Sequence, residues 1–257
     1  MSQAPPTNTI GSPFIELQSV DSTNNYARQQ IHAGLAQHGM VIFAHEQVAG
    51  KGQRGRVWVS GAGENIAMSI LVNPAPLILS QQFQLSACVA VSLHEFFNRY
   101  TGGETKIKWP NDLYWQDRKA GGVLIESVVG SSESGVPNWE WAVAGIGINI
   151  NQTSFSAYLP NAVSMKQITG SDFKVIDLVK EFCGVFQRRF DELITTGVEH
   201  IFSTYNRHLY KLNEKVRLKK DSRVFEAVIK SVSPAGKLIA QHATEEEFDF
   251  GAVAWVI

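Results

Sequence analysis

Five glycines, Gly50, Gly52, Gly55, Gly61 and Gly63, fall within residues 45–64, between two compact apolar runs at 40–44 and 65–72. Neither helix nor strand persists through such a density of residues lacking a Cβ, so a long loop between two strands is predicted there. Short apolar runs bounded by turn signals read as buried strands. The same pattern puts strands at 14–17, 113–115, 122–129 and 139–150, with 106–109 leading into a Pro-Asn-Asp turn and 131–138 reading as a hairpin loop. Helical periodicity marks 80–99, 174–194 and 197–210. Asp21-Ser22-Thr23-Asn24 opens a shorter helix to about residue 31, with Ser22 or Thr23 as N-cap. This order predicts an α+β fold, a mixed β-sheet of about six strands with helices packed on one face.

Beyond residue 211 the pattern changes to short alternating strands around a turn at Pro234-Ala235-Gly236. A small separate β-barrel of about 45 residues is predicted. The expected organisation is a disordered tail at 1–13, a catalytic domain at 14–210 and the barrel at 211–257. Five basic residues between Lys215 and Arg223 and the acidic run at 245–247 read as solvated strand faces or as a docking surface for a partner protein.

Composition excludes several classes. Lys plus Arg number 23 against 24 Asp plus Glu, so the chain is not a globally basic nucleic-acid binder. Two cysteines, Cys88 and Cys183, cannot build a disulfide framework and read as buried free thiols of a reducing compartment. The sequence has no apolar run of membrane-spanning length and no signal-peptide pattern at its start, so a soluble cytoplasmic protein is expected. His-Glu-x-x-His, Gly-x-Ser-x-Gly and Cys/His clusters are missing, which argues against a zinc site or a catalytic triad.

Four strings carry candidate chemistry. Gly50-Lys51-Gly52-Gln53-Arg54-Gly55-Arg56 sets three cations among three glycines. Glycines expose backbone N–H groups, and Lys and Arg neutralise phosphate or carboxylate, so this is either a plain exposed loop or an anion-binding loop, although it is not a P-loop. Trp58 beyond it can stack on a nucleobase or serve as a core aromatic. Lys108-Trp109-Pro110-Asn111-Asp112 is followed by Lys119-Ala120-Gly121-Gly122. There Asn111 and Asp112 are turn formers or phosphate-side groups, Asp112 is a candidate Mg2+ ligand, and Lys119 is either a surface lysine beside a turn or a cation pointing into a cleft left open by the glycines. Gly145-Ile146-Gly147-Ile148-Asn149 permits either close ligand approach or close strand packing. The hydroxyls of Ser22 and Thr23 are caps, ligand donors or both.

In this order the strings DSTN (21–24), EQVAGKGQRGRVW (46–58), KWPNDLYWQDRKAGG (108–122) and GIGIN (145–149) resemble the biotin–protein ligases, over about residues 14–257. The resemblance implies a class II synthetase-like catalytic domain and an SH3-like C-terminal barrel. It implies ATP-dependent activation of biotin to biotinyl-5′-AMP with release of pyrophosphate. Biotin then passes to a lysine of a biotin carboxyl carrier domain, of acetyl-CoA carboxylase or another biotin-dependent carboxylase. ATP, biotin and Mg2+ are implied, with no tightly bound prosthetic group, no nucleic acid and no membrane; family members are monomers or homodimers.

By position the resemblance assigns catalysis to Lys119, Lys51 and Arg54. It assigns biotin binding to Ser22, Thr23, Asn24, Gln47, Gly50, Lys51, Gly52, Gln53, Lys119, Gly121 and Gly122. The adenylate side falls to Arg54, Arg56, Trp58, Asn111, Asp112, Lys119, Ile148 and Asn149, with Asp112 toward Mg2+. Two departures stand out. The family loop commonly reads Gly-Arg-Gly-Arg-x-Gly-Arg, whereas Lys51 and Gln53 stand here for the first two arginines. Lys51 loses the bidentate fork and Gln53 the charge, so weaker retention of the adenylate is expected. Too few residues precede the first strand for the winged helix-turn-helix that some members carry, so repressor activity is not expected. The alternatives are a lipoate- or octanoyl-transferring relative, which shares the fold, and a non-catalytic biotin sensor. A sensor would be expected to lose Lys119 or the cationic loop.

Overall fold

The computed structural model describes residues 9–131 and 137–256. In chain order it contains β1 (Phe14–Val20), α1 (Thr23–His32), β2 (Val41–Gln47), β3 (Ile66–Val72), α2 (Gln82–Thr101), β4 (Thr105–Lys108), β5 (Asp112–Trp115), β6 (Arg118–Ser131) and β7 (Pro137–Ile148). There follow α3 (Met165–Thr169), α4 (Val175–Thr196), α5 (Glu199–Arg207), β8 (Lys215–Lys220), β9 (Arg223–Val232), β10 (Leu238–Gln241), β11 (Glu245–Phe248) and β12 (Ala254–Val256).

The first seven strands form one mixed sheet in the order β1-β2-β3-β7-β6-β5-β4. β1 and β2 run parallel, and α1 supplies the crossover that a parallel pair requires. The other neighbours pair antiparallel. The strand beyond the expected six is β4. At four residues it is too short to show alternation, and it pairs with β5 across the Trp109-Pro110-Asn111 turn.

Helices were expected on one face, and α2, α4 and α5 do lie together against Val41, Phe43, Ile70, Val72, Ala142 and Ala144. α1 takes the opposite face, where Ala27 packs on Ile42, Leu71 and Val143. The reason is in the strands: Val41-Ile42-Phe43-Ala44 is apolar at successive positions, so both of its faces need cover.

On the α1 face the register builds a short grid. Across β3, β7 and β6 the rows are Ala67–Gly147–Gly122, Ser69–Gly145–Leu124 and Leu71–Val143–Glu126. A β-bulge interrupts β5–β6: Gly121 pairs with Leu113 and Lys119 with Tyr114, so Ala120 has no partner of its own. The extra residue reverses the alternation and puts Lys119 on the same side as Gly122.

The last five strands form an antiparallel sheet in the order β11-β10-β9-β8-β12, a small C-terminal β unit. Leu218, Ile229, Leu238 and Phe248 continue the main core rather than forming a detached one. Trp109 Nε1 donates to Gly236 O at 2.9 Å, and Asn206 exchanges two hydrogen bonds with the Val232 backbone at 2.7 and 3.1 Å.

Of residues 9–13, expected to be part of a disordered tail, Ile10 is buried and its N–H donates to Gln187 Oε1 at 2.6 Å. The greater part of the tail, 1–8, and most of the hairpin loop expected at 131–138 lie outside the described residues. Cys88 and Cys183 are buried free thiols, and burial pushes the Cys183 thiol up to about 12. Among the described residues no helix is long and apolar enough to cross a membrane.

Candidate active site

The site is built on the α1 face of the grid, at positions where the sheet carries no side chain. A Cβ on Gly145 would collide with the Asn24 side chain, and one on Gly147 would come within 2.6 Å of the Trp58 ring. A Cβ on Gly122 would stand 2.9 Å from Asp112 Oδ1 and 3.5 Å from Lys119 Nζ. Gly145 and Gly147 are two residues apart on one strand, about 7 Å, and Gly122 is directly opposite Gly147, about 5 Å away. Three of the expected clusters therefore meet on one small floor.

At the first corner stands the N-terminus of α1. Thr23 donates its N–H and its hydroxyl to Gln47 Oε1 at 2.8 and 3.1 Å. This fixes the Gln47 amide so that Nε2 is directed at Gly50. Ser22 occupies the N-cap position, but its side chain makes no capping hydrogen bond, so its hydroxyl is not spent on the helix. Asn24 is spent: its Oδ1 lies 2.6 Å from Ser69 Oγ, and its Nδ2 donates to Glu126 Oε2 at 2.6 Å. Asn24, expected to touch biotin, thus braces the floor beneath Ser22 and Thr23. Asp21, just before the helix, is held below the usual carboxylate range by its bond from Asn25.

Over the second corner lies the glycine-rich loop. Gly50 is obligatory there, because a Cβ would strike the Trp58 carbonyl. The loop closes on itself through an isolated bridge between Lys51 and Val57 and a 2.7 Å bond from Gly52 N to Arg56 O. A cleft of about 460 Å³ opens between loop and sheet, lined by Gly50, Lys51, Arg54, Arg56, Leu124 and Glu126 among others. Gln53 does not line it. Lys51 Nζ is 4.0 Å from Glu126, which also takes Arg28 at 3.8 Å. Trp58 covers Gly147, and its buried Nε1 has no hydrogen-bond partner.

The third corner is Lys119. Its Nζ is 2.6 Å from Asp112 Oδ1, with both side chains about one third exposed, at 35% and 27%. Its backbone is clamped on the far side, N–H to Asn161 O at 2.6 Å and C=O from Val163 N at 2.9 Å. Asn149, expected on the adenylate side, secures that clamp by donating Nδ2 to Val163 O at 3.1 Å. Asn111, expected there too, is buried with its Nδ2 on Val123 O, which shapes the turn before Asp112. Two further expectations are corrected by the strand alternation. Ile148 is wholly buried in the core on the α2 side, and Gly121 serves close packing, since a Cβ would stand 2.7 Å from Gly147 O.

Asp112 was also expected toward Mg2+. Its carboxylate is engaged by Lys119, and no group of three His, Cys, Asp or Glu able to hold a metal exists among the described residues. These residues do not form a protein-built Mg2+ cage. Mg2+ is usually held by one or two carboxylates together with substrate phosphates, a role that a single carboxylate such as Asp112 can fill.

Residues outside the expected set complete the site. Lys108 is buried behind Asp112, its ammonium 4.4 Å from the Tyr114 ring, 5.3 Å from Trp255 and 5.5 Å from Tyr210. It donates to Tyr114 OH at 3.0 Å, and burial lowers its pKa to about 8. Ser69 and Glu126 sit on the grid itself. Alternation along their strands is the signal that could have found them. The whole arrangement sets Lys51, Arg54, Arg56 and Lys119 around a floor without side chains, next to a polar corner of hydroxyl and amide. It is fitted to hold a small uncharged polar ring at one end and to bring two anions together at the other.

The biotin/lipoate A/B protein ligase family model matches residues 16–137. The chain is 30% identical over 230 residues to a biotin–[acetyl-CoA-carboxylase] ligase of Paracoccus denitrificans, covering 87% of this chain and 92% of that protein. It is 27% identical over 238 residues to the bifunctional ligase/repressor BirA of Bacillus spizizenii, covering 91% and 71% of the two chains. Among solved structures, the biotin protein ligase from Aquifex aeolicus in complex with biotin and ATP has the same fold, with a TM-score of 0.79 at 23% identity over 95% of this chain and 98% of that one.

Proposed function

This chain belongs to the biotin–protein ligase family and is an ATP-dependent ligase that uses biotin, and from that premise we propose which of its residues perform the two half-reactions. In the first, a biotin carboxylate oxygen attacks the α-phosphorus of ATP. The bond to pyrophosphate breaks, and biotinyl-5′-AMP remains. In the second, a carrier lysine amine attacks the acyl carbon, the bond to AMP breaks, and the amine loses its proton to solvent. The carrier is the biotin carboxyl carrier domain of acetyl-CoA carboxylase or of another biotin-dependent carboxylase.

The observation that carries this reading is the placement of Lys119. The bulge turns its ammonium onto the glycine floor, 2.6 Å from Asp112 and on the face covered by the cationic loop. Two anions that must meet repel each other, and a fixed cation between them removes that repulsion. Lys119 does this between biotin carboxylate and α-phosphate, with Asp112 aiming its ammonium. Ser22, Thr23 and Gln47 read the ureido ring, whose two N–H donors and one carbonyl match hydroxyls and an oriented amide. Lys51 and Arg56 face the phosphates, and Trp58 offers a ring to the adenine. With the loop over the cleft, water is kept from the mixed anhydride.

The test is the intact mass of an apo carrier domain after incubation with this protein, MgATP and biotin, beside a parallel lipoate reaction. A biotin-sized gain that requires ATP is expected. A gain with lipoate alone transfers the chain to the lipoate-using relatives. Tight biotin binding without transfer makes it a sensor.

A further inference from the structure

The tip of the loop is held by the C-terminal β unit. Arg54 has left-handed backbone (φ 54, ψ 41), which a residue with a Cβ rarely adopts, and Gly55 follows at φ 75. This tight turn stands the Arg54 guanidinium over the Phe250 ring, 5.5 Å from its centroid. Phe250 is 47% exposed, yet its ring meets Trp109 edge-on at 6.0 Å, and Trp109 is itself tied to Gly236. Beside it Gly251 has φ 85, and a Cβ there would collide with the same guanidinium. The backbone hydrogen bonds within 50–58 only close the loop on itself: Gly52 to Arg56, Arg56 to Gln53, Trp58 to Gly50. At the tip, Arg54 joins the loop to the small sheet through Phe250 and Gly251.

We propose that Phe250, with Gly251 beside it, is the post on which the small sheet docks the loop through Arg54, and that Phe250 is a positioning residue for adenylate formation. The second half of this statement rests on the function proposed above; the docking does not. A glycine-rich loop loses much conformational freedom when it closes over a ligand. Fixing its tip beforehand lowers that cost at binding. Undocking therefore raises KM for biotin and leaves kcat at saturation intact, a split that general loss of structure does not produce.

The experiment is amide hydrogen exchange on the ligand-free full-length protein, alongside biotin and ATP kinetics, for Phe250→Ala, Phe250→Tyr, Arg54→Gln and the Phe250→Ala/Arg54→Gln double variant. Phe250→Ala is expected to speed exchange at 51–57 about three- to fivefold, the factor that an exposed cation–π contact supplies, with α2 and α4 unchanged. Arg54→Gln should match it, the double variant should add nothing, and Phe250→Tyr should behave as the parent. Biotin KM should rise by the same factor in Phe250→Ala with kcat retained. Unchanged loop exchange in Arg54→Gln, or effects that multiply in the double variant, overturns the docking. If Phe250→Ala loosens β9 as well, Arg54→Gln decides alone, because that exposed side chain supports no core. In Phe250→Ala, a fall in kcat at constant KM overturns the positioning role. If the exchange results hold while no variant consumes biotin, the docking stands and the functional reading falls.

Discussion

Lys119 Nζ and Asp112 Oδ1 stand 2.6 Å apart on neighbouring strands, and the space beside the pair is kept clear by Gly122. Both side chains are about one third exposed, so solvent screening leaves the pair worth under about 1 kcal/mol to stability. Its importance is in the chemistry. Lys119→Ala is expected to lower pyrophosphate release with biotin and ATP by about 100- to 1000-fold, the effect of deleting a fixed stabiliser of developing charge. Melting should be almost unmoved. Asp112→Asn keeps the ammonium but loses its aim and should fall between. A Lys119→Ala variant at full speed would place the reaction elsewhere.

The two glycines of β7 should separate the two substrates. A Cβ at Gly147 meets the Trp58 ring at 2.6 Å, and β7 cannot retreat because it is paired on both edges. The ring must move. Gly147→Ala is therefore expected to raise KM for ATP about tenfold, the loss of roughly one stacking contact. A Cβ at Gly145 meets Asn24 instead, which braces Ser22 and Thr23. Gly145→Ala should raise KM for biotin and leave ATP less affected. Equal shifts in both constants for either variant would argue against two distinct corners.

What was legible in the sequence was whatever local chemistry announces. The glycine density at 45–64 marked the loop, and the alternation after residue 211 marked the small sheet. Lys119 was found by its string, but the bulge at Ala120 that turns it onto the floor has no sequence signal of its own. The face taken by α1 was hidden because β2 is apolar on both sides. Ile148, Asn111 and Asn149 were grouped with the adenylate because they lie within the strings that carry the family resemblance. Period-two alternation from Gly145 and Gly147 already sends Ile148 to the other face. Asn111 and Asn149 satisfy backbone groups that only the folded turn and clamp bring near them. Glu126 follows by alternation from Gly122 and Leu124 on the same strand, whereas Phe250 is far from any motif in sequence and became visible only through contact.

Gln53 departs from the loop pattern, and the structure puts it at the start of a short 3-10 turn, half-buried, with its carbonyl accepting Arg56 N at 3.1 Å. Gln53 itself does not line the cleft, but it lies between Gly52 and Arg54, which do, and an arginine there would add a cation on a longer arm. Gln53→Arg is expected to slow escape of biotinyl-5′-AMP about three- to tenfold, one charge-assisted hydrogen bond in a partly solvated site. Dissociation of preformed adenylate, followed by its quenching in a carrier-free chase, measures this directly. An unchanged rate would mean that Gln53 does not govern retention.

Acid sensitivity should arise away from the site, where α2 meets α5. The His94 and His208 rings stack with centroids 4.0 Å apart, and His94 Nε2 lies 3.1 Å from Thr105 O. Neutral His94 donates that bond. Burial first, and then His208, lower its pKa from 6.5 to about 4, with Lys106 adding to the effect and Glu95 opposing it. The folded protein thus resists a proton that the unfolded chain accepts near pH 6.5. Above that pH the group is neutral in both states and has no effect. As pH falls from 6.5 toward 4 the unfolded chain gains protons that the fold does not, and stability declines. A difference of about 2.5 pKa units amounts to about 3 kcal/mol once pH is below 4. Burial also lowers the pKa of His208, which steepens the fall. Urea unfolding between pH 7.5 and 4.5 should show this decline, and His94→Gln, which keeps a donor for Thr105, should flatten it. An equally steep profile in that variant would assign the acid sensitivity to other groups.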